Sequence, residues 1–459
     1  MTTLSPPVGV KGTPISNQDQ QQQIQTNSPR GQQPAPVRIS FNTSNSTLES
    51  SPFPSDSSME NSEEGNCTAR QNPPFKAMTP NLITKSSIES AAAASDTSPE
   101  VASILDKVCD WDSFDVFKLD ACTGGRPLQV VTLCLLRTLG VVERLQLDVT
   151  RLSEFLAAVE GHYTPQHYHN STHAADVVQA LGAMMAADQW ASALEDWERL
   201  AIIIGAAVHD LGHPGVNNDF HVRTNSEAAQ AYSTLGSINE NNHAALASSL
   251  LDLRGNDFFM SSTMDATEAT QFKSLLKELI LSTDMAHHGG VIKSFKASLQ
   301  QFGSELTNWS EDARRNAALR MFLHCADISN PARPLEHCSE WGRRVQEELY
   351  GQGDKERELG LVLTPACDRG SSCPGRSQAA FIKHVMQPTI AVLAPLAPKF
   401  VETVTPHINA SLEHWRALSN GCSGDCISNS SPNKLPERMG PLAGSERNCS
   451  SDVITYLAP

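Results

Sequence analysis

The chain has 459 residues and a formal net charge of -16, with 39% hydrophobic residues. That length suits one large domain with tails or a few average ones, and the apolar deficit is local to the two ends rather than spread along the chain. Most of the excess negative charge lies between residues 98 and 418, which excludes the basic footprint of a nucleic-acid-binding protein and suits a site that gathers divalent cations.

Residues 1–97 are rich in Ser, Pro, Gln, Asn and Thr and include a glutamine run, Gln20–Gln23. Such a segment cannot bury enough apolar area to offset chain entropy, so it is predicted to be disordered. From Leu128 the pattern turns helical. Leu128, Val131, Cys134, Leu135 and Thr138 recur at helical spacing, as do Leu152, Phe155, Leu156 and Val159. The run Leu200–Val208 reads as a buried helix and is far too short to span a bilayer. Phe272, Leu275, Leu276 and Leu279 with Ile280 give another helix, and Trp341, Val345 and Leu349 a further one. Gly124-Gly125-Arg126-Pro127 and Gly351-Gln352-Gly353 read as connections. No strand-like alternation or internal repeat interrupts the series. The predicted fold class is all-α, with residues 98–418 as packed helical sub-bundles and 419–459 as a second disordered tail.

The 11 cysteines are dispersed without a Cys-x-x-Cys pair, which argues against a disulfide scaffold. The N-terminus carries no apolar signal region. The expectation is a soluble, cytoplasmic protein with no transmembrane segment.

Four polar blocks each abut an apolar helix. They are Tyr168–His173, with histidines at 169 and 173; His209–Asn218, with His209, Asp210 and His213; Asn239–His243, with Glu240; and His324–Pro331, with Asp327 and Asn330. Histidines four apart share a face if their segment is helical. His and Asp are ligands for zinc and for harder divalent ions. An Asp bridging two ions would hold a water between them and lower its pKa from 15.7 towards roughly 7, making a hydroxide that can attack phosphorus. Alone, each block has a plain structural reading: a hydrogen-bonded histidine, or a loop acid at a helix end. Their joint occurrence points to a metal-dependent phosphohydrolase.

Tyr168–Asp176 (YHNSTHAAD), His209–Asn218 (HDLGHPGVNN) and His324–Pro331 (HCADISNP) resemble the signature blocks of class I 3′,5′-cyclic nucleotide phosphodiesterases, an HD-type family. Trp111–Leu119, Arg126-Pro127-Leu128, Thr283-Asp284-Met285, Gln352–Glu358 and Ser377–Ile382 fit in the same order, so the resemblance covers about 110 to 395. The likeness is greatest to the cAMP-specific branch. The resemblance implies a compact multi-helix catalytic domain that converts a cyclic nucleotide, cAMP in preference to cGMP, into the 5′-monophosphate. It implies that His173, His209, Asp210 and Asp327 hold a tight Zn2+, and that Asp210 bridges to Mg2+ (or Mn2+) held mainly through waters. His213, Glu240 and Thr283 would hydrogen-bond those waters. His169 would protonate the leaving 3′ oxygen, with Glu240 orienting it. Asn330 and Gln378 would bond the base edge, Phe381 and Val345 would pack on its two faces, and Tyr168 would line the pocket. By periodicity alone, Phe381 and Val345 read as core and Gln378 as a solvated helix residue.

Gly212 stands where many family members carry Asp, and Asn242 replaces a common His. Two alternatives stand beside this reading: an HD-type phosphohydrolase of noncyclic nucleotides, and a catalytically silent nucleotide-binding protein. A homodimer is compatible with the sequence, which names no partner for the tails.

Overall fold

The spacings resolve into helices in a computed structural model that describes residues 98–259 and 261–421. The disorder expected for 1–97, and for 419–459 beyond residue 421, lies outside the described residues. No strand occurs among the described residues. The helices that build the core and the site are Pro127–Thr138 (α1), Val149–His162 (α2), Ser171–Ala187 (α3), Asp196–Val208 (α4), Ile238–Leu251 (α5), Ala266–Leu281 (α6), Arg320–Asp327 (α7), Leu335–Glu358 (α8), Pro374–Phe381 (α9) and Pro398–Asn420 (α10).

Local chemistry sets several of these boundaries. Pro127 opens α1, where its missing N–H costs nothing. The Asp148 side chain caps α2 by accepting from the amides of Thr150 and Arg151. Asp265 and Glu268 form a reciprocal capping box at the start of α6. α10 runs to Asn420, so the expected boundary at 418 falls inside its last turn.

The central layer is α3 and α4, buried almost end to end. α1 packs on α3, and α6 packs on α4. The apolar run Leu200–Val208 is α4, as its composition predicts. Leu128, Val131 and Leu135 of α1, and Phe272, Leu276 and Leu279 of α6, all face the common core. α8, α9 and α10 form a second group; α10 packs on α3, and α8 and α10 both pack on the Asn330–Ala332 turn that follows α7.

One expected connection is absent. Gly351-Gln352-Gly353 does not break the chain; α8 runs unbroken from Leu335 to Glu358. The glycine at 353 serves close approach instead. A β-carbon there would lie 2.0 Å from the Cys367 carbonyl oxygen, so the 365–367 segment can cross the helix only at a residue without a side chain. No helix among the described residues is long and apolar enough to cross a membrane.

Candidate metal centre and acid dyad

The Asn170 side chain caps α3 by accepting from the amides of Thr172 and His173, at 3.0 and 3.1 Å. His173 therefore sits in the first turn of α3, whereas His169 lies before the cap. The two histidines do not share one helix face, contrary to the spacing argument, because Asn170 ends the regular turn between them. His209 and Asp210 follow the end of α4, and Asp327 is the last residue of α7. Three buried helices thus bring four ligand-type side chains to one point.

The ligand-type atoms of His173, His209, Asp210 and Asp327 all lie within 4.8 Å of one another. His209 Nε2 is 3.0 Å from Asp210 Oδ2 and 3.2 Å from Asp327 Oδ1. His173 Nε2 is 3.1 Å from Asp327 Oδ1 and 3.5 Å from Asp210 Oδ2. Yet His209 Nε2 and Asp210 Oδ2 are buried without a properly directed hydrogen bond. The His209 ring meets the Ala206 carbonyl through Nδ1 at 2.9 Å, so that nitrogen carries the proton and Nε2 is left with a lone pair aimed at the carboxylates. Converging lone pairs in a dry site call for a cation between them.

A second cluster stands beside it. The ligand-type atoms of His169, His213 and Glu348 also lie within 4.8 Å of one another. Glu348, on α8, accepts from the His169 ring at Nδ1 and from the backbone amides of Tyr168 and His169, at 2.8 and 3.0 Å. Burial alone would lower the His169 pKa, but the charges of Glu348 and Asp210 raise it to about 9. Burial works against the Glu348 charge as well, yet His169 brings that carboxyl down to about 2. The His213 ring stacks on His169 with centroids 3.8 Å apart. Burial and the adjacent His169 charge hold His213 well below its ordinary value.

The expected pairing of Glu240 with His169 is therefore replaced by Glu348 with His169. Glu240, on α5, accepts from Asn218 Nδ2 at 3.0 Å, across the cleft from the dyad. Burial and the nearby Asp284 raise its pKa to about 7. A signal for Glu348 was present in the sequence. Glu348, Gln352 and Glu356 recur every four residues on α8 and are all buried, an unusual polar stripe for a packed helix. Gln352 accepts from the Asn217 amide at 2.9 Å, and Glu356 from Arg223 at 3.0 Å, so the same stripe anchors the loop that follows His213.

A cleft of about 240 Å³ joins these parts. It is lined by His169, Asp210, His213, Glu240, Thr283 and Asp327, and by Tyr168, Asn330, Val345, Gln378 and Phe381. All the expected site residues except His173 and His209 line it, and those two lie buried directly behind Asp210 and Asp327. Phe381 and Val345 are only partly buried, each packed against the core on one side and bordering the cleft on the other. The departures are absorbed without loss of ligands. Gly212 adopts φ +74° in the turn between Asp210 and His213, a left-handed conformation that suits glycine. Asn242 is half-buried on α5, outside both clusters.

A family model described as 3'5'-cyclic nucleotide phosphodiesterase matches residues 168–407. The chain is 32% identical over 321 residues to a probable 3',5'-cyclic-AMP phosphodiesterase of Caenorhabditis elegans, covering 69% of this chain and 47% of that protein. It is 34% identical over 300 residues to 3',5'-cyclic-AMP phosphodiesterase 4C of Rattus norvegicus, covering 64% and 55%. It is 35% identical over 294 residues to a dual specificity calcium/calmodulin-dependent 3',5'-cyclic nucleotide phosphodiesterase 1B of Rattus norvegicus, covering 64% and 53%. The chain thus spans about half the length of these curated relatives. Among solved structures, the phosphodiesterase domain of the RhoPDE fusion protein from the choanoflagellate Salpingoeca rosetta superposes with a TM-score of 0.62 at 27% identity, over 72% of this chain and 98% of that one.

Proposed function

The chain belongs to the 3'5'-cyclic nucleotide phosphodiesterase family as a class I catalytic domain, and on that premise we propose that it hydrolyses a 3′,5′-cyclic nucleotide, cAMP before cGMP, to the 5′-monophosphate. The observation that carries this reading is the shared cleft: a His169–Glu348 dyad beside a two-His, two-Asp cluster, with two amides, Asn330 and Gln378, and the Phe381 ring on the same cleft wall. Residues 98–418 form the catalytic domain in this reading.

His173, His209, Asp210 and Asp327 would hold Zn2+, a donor set that suits it. Asp210, with Glu240, Thr283 and His213 around it, would serve Mg2+ or Mn2+. The orphaned atoms His209 Nε2 and Asp210 Oδ2 support a cation at this point. When bound, such ions supply charge neutralisation at the phosphoryl oxygens and lower the pKa of water.

The chain's own groups do the rest. Glu348 fixes the His169 ring by its Nδ1–H and keeps it charged, so Nε2–H remains to donate to the departing 3′ oxygen. Protonating an alkoxide as it leaves is worth about 10²–10⁴-fold. Phe381 offers a ring face to the purine, with Val345 opposite. Asn330 offers its amide oxygen to the base edge, and a preference for cAMP rests on that acceptor.

The test is initial-rate hydrolysis of cAMP and cGMP by the full chain with magnesium, beside an Asp327→Ala control. Turnover of cAMP that vanishes in the control supports the reading. Turnover of neither nucleotide by a zinc-loaded chain refutes it.

A further inference from the structure

Glu240 borders the cleft, and its place there is set from behind. Its carboxylate accepts from Asn218 Nδ2 at 3.0 Å, while Asn218 Oδ1 accepts from the Asn239 amide at 2.8 Å. Asn218 thus ties down the first turn of α5 with both ends of one side chain. Its neighbour Asn217 caps the short helix Asn218–Thr224 by accepting from the Phe220 amide at 2.9 Å. The segment between α4 and that helix is not helical, and it turns at Gly212 and Gly215, both at positive φ. Glycines leave such a segment many conformations, so its far end needs an anchor from outside.

That anchor lies in α8. Gln352, 2% exposed, accepts from the Asn217 amide through Oε1 at 2.9 Å and donates from Nε2 to Glu356 Oε1 at 3.0 Å. Glu356 is fully buried. Its other partners are donors as well: Arg223 Nη1 at 3.0 Å, the Thr364 hydroxyl at 2.7 Å and the Thr364 amide at 2.7 Å. An ion-paired carboxylate offers only acceptors, so Gln352 can turn only its NH2 group towards Glu356, and its oxygen is left facing Asn217. Turning that amide over would oppose two oxygens at one end and two N–H groups at the other.

The contacts run from Glu356 through Gln352, Asn217 and Asn218 to Glu240, and the two ends of this chain differ. Asn217, Asn218 and Glu240 line the cleft, whereas Gln352 and Glu356 do not. A dry ion pair is a weak source of stability, since apolar packing serves as well. What Glu356 supplies at this place is direction, passed on through one amide and two asparagines to an acid that faces the cations.

We propose that Glu356 and Gln352 position Glu240 for the second cation, so that the polar stripe of α8 sets the affinity of that site and leaves the tight site unchanged. This rests on the reading in which Asp210, Glu240, Thr283 and His213 serve Mg2+ or Mn2+. Glu356 and Gln352 border neither the cleft nor the four-residue cluster; they are positioning residues.

The experiment titrates the zinc-loaded full chain with Mn2+, followed by electron paramagnetic resonance. Zinc per chain, thermal melting and the magnesium dependence of cAMP hydrolysis are measured on the same samples. The variants are Gln352→Met, Glu356→Gln, Glu356→Gln with Arg223→Met, and Asn218→Ala. The double variant strands no buried charge and Asn218 is only half-buried, so these two answer if the others fail to fold. Asp148→Ala deletes the cap of α2 and controls for a general loss of stability. In each folded variant of the stripe and of Asn218, the Mn2+ dissociation constant is expected to rise at least about tenfold, with zinc per chain at the wild-type value. The rate is expected to recover as magnesium is raised, and Asp148→Ala to melt earlier with its Mn2+ constant unchanged. A folded Gln352, Glu356 or Asn218 variant with the wild-type Mn2+ constant overturns the proposal. So does zinc lost in parallel, or an equal shift in Asp148→Ala, because the stripe would then only hold the fold. A wild type that binds Mn2+ but hydrolyses neither cyclic nucleotide refutes the substrate reading and leaves the Mn2+ constants to decide the proposal. A zinc-loaded wild type that binds no Mn2+ overturns the second-cation reading and the proposal together.

Discussion

Glu348 grips His169 from two directions, accepting from the ring at Nδ1 and from the residue's own backbone amide at 3.0 Å. The carboxylate thus fixes both the position of the residue and the orientation of its ring. It also fixes the sign of a pH effect. Burial lowers the His169 pKa, and Glu348 and then Asp210 raise it, to about 9. A histidine so raised keeps its proton below about 9 and loses it as pH climbs through that value. Glu348→Gln removes the largest raising charge, so the alkaline limb of kcat/KM moves to lower pH and kcat falls by about 10²-fold or more. Glu240→Gln leaves that limb where it is. A pH–rate series on the two variants and the wild type checks both outcomes, and an unmoved limb in Glu348→Gln would count against the dyad.

The four-residue cluster makes a prediction about metal content. Asp327→Ala deletes a carboxylate that lies within reach of both His173 and His209. Tightly bound zinc per chain, measured by mass spectrometry after exhaustive dialysis, is expected to drop well below the wild-type value. Activity drops with it, by at least about 10³-fold, since charge neutralisation of this kind is worth several kcal/mol. Wild-type zinc content in the variant would mean that the ion sits elsewhere.

A change at Phe381 tests the proposed base contact apart from the chemistry. It is only partly buried at the end of α9, so truncation removes a ring face more than a core residue. Stacking of a base on an aromatic ring is worth about 1–3 kcal/mol. Phe381→Ala is therefore expected to raise KM for cAMP about 10- to 100-fold with a smaller change in kcat. A variant that loses kcat while KM stays put would place the base elsewhere in the cleft.

Gly353 tests the packing that holds the polar stripe of α8 in place. An alanine β-carbon would press on the Cys367 carbonyl, a backbone atom that cannot rotate away. Gly353→Ala is expected to cost about 1–3 kcal/mol, read as a lower melting temperature. A neutral outcome would show that the 365–367 segment shifts freely.

The sequence made the fold legible where a helix has one apolar face or is apolar all round. α1, α2, α4 and α6 follow directly from their spacing, and His209-Asp210 at the end of the Leu200–Val208 run points to a metal only together with the other polar blocks. α8 was harder. Two glycines in Gly351-Gln352-Gly353 read as a break because glycine disfavours helices, but close approach of another backbone outweighs that propensity here. His169 and His173 share a face only if their segment is helical, and the Asn170 cap, which starts the helix after His169, removes that condition. Glu348 was missed for a different reason. Its partner lies 179 residues away, and periodicity reports which face of a helix is buried without saying what a buried acid meets. The same holds for Asp176 and Arg333, which pair across 157 residues of sequence. Phe381, Val345 and Gln378 look like ordinary helix residues by pattern, because a cleft wall is core on one side and solvent on the other.

The most direct test of the account is phosphorus-31 NMR of cAMP incubated with the full chain and magnesium. Cleavage at the 3′ oxygen, the one His169 is proposed to protonate, is predicted to yield 5′-AMP as the sole phosphorus product, and Asp327→Ala to yield none. Formation of 3′-AMP would contradict the account, because it requires the other ester bond to break. An unchanged cyclic signal from a zinc-loaded chain would contradict it as well.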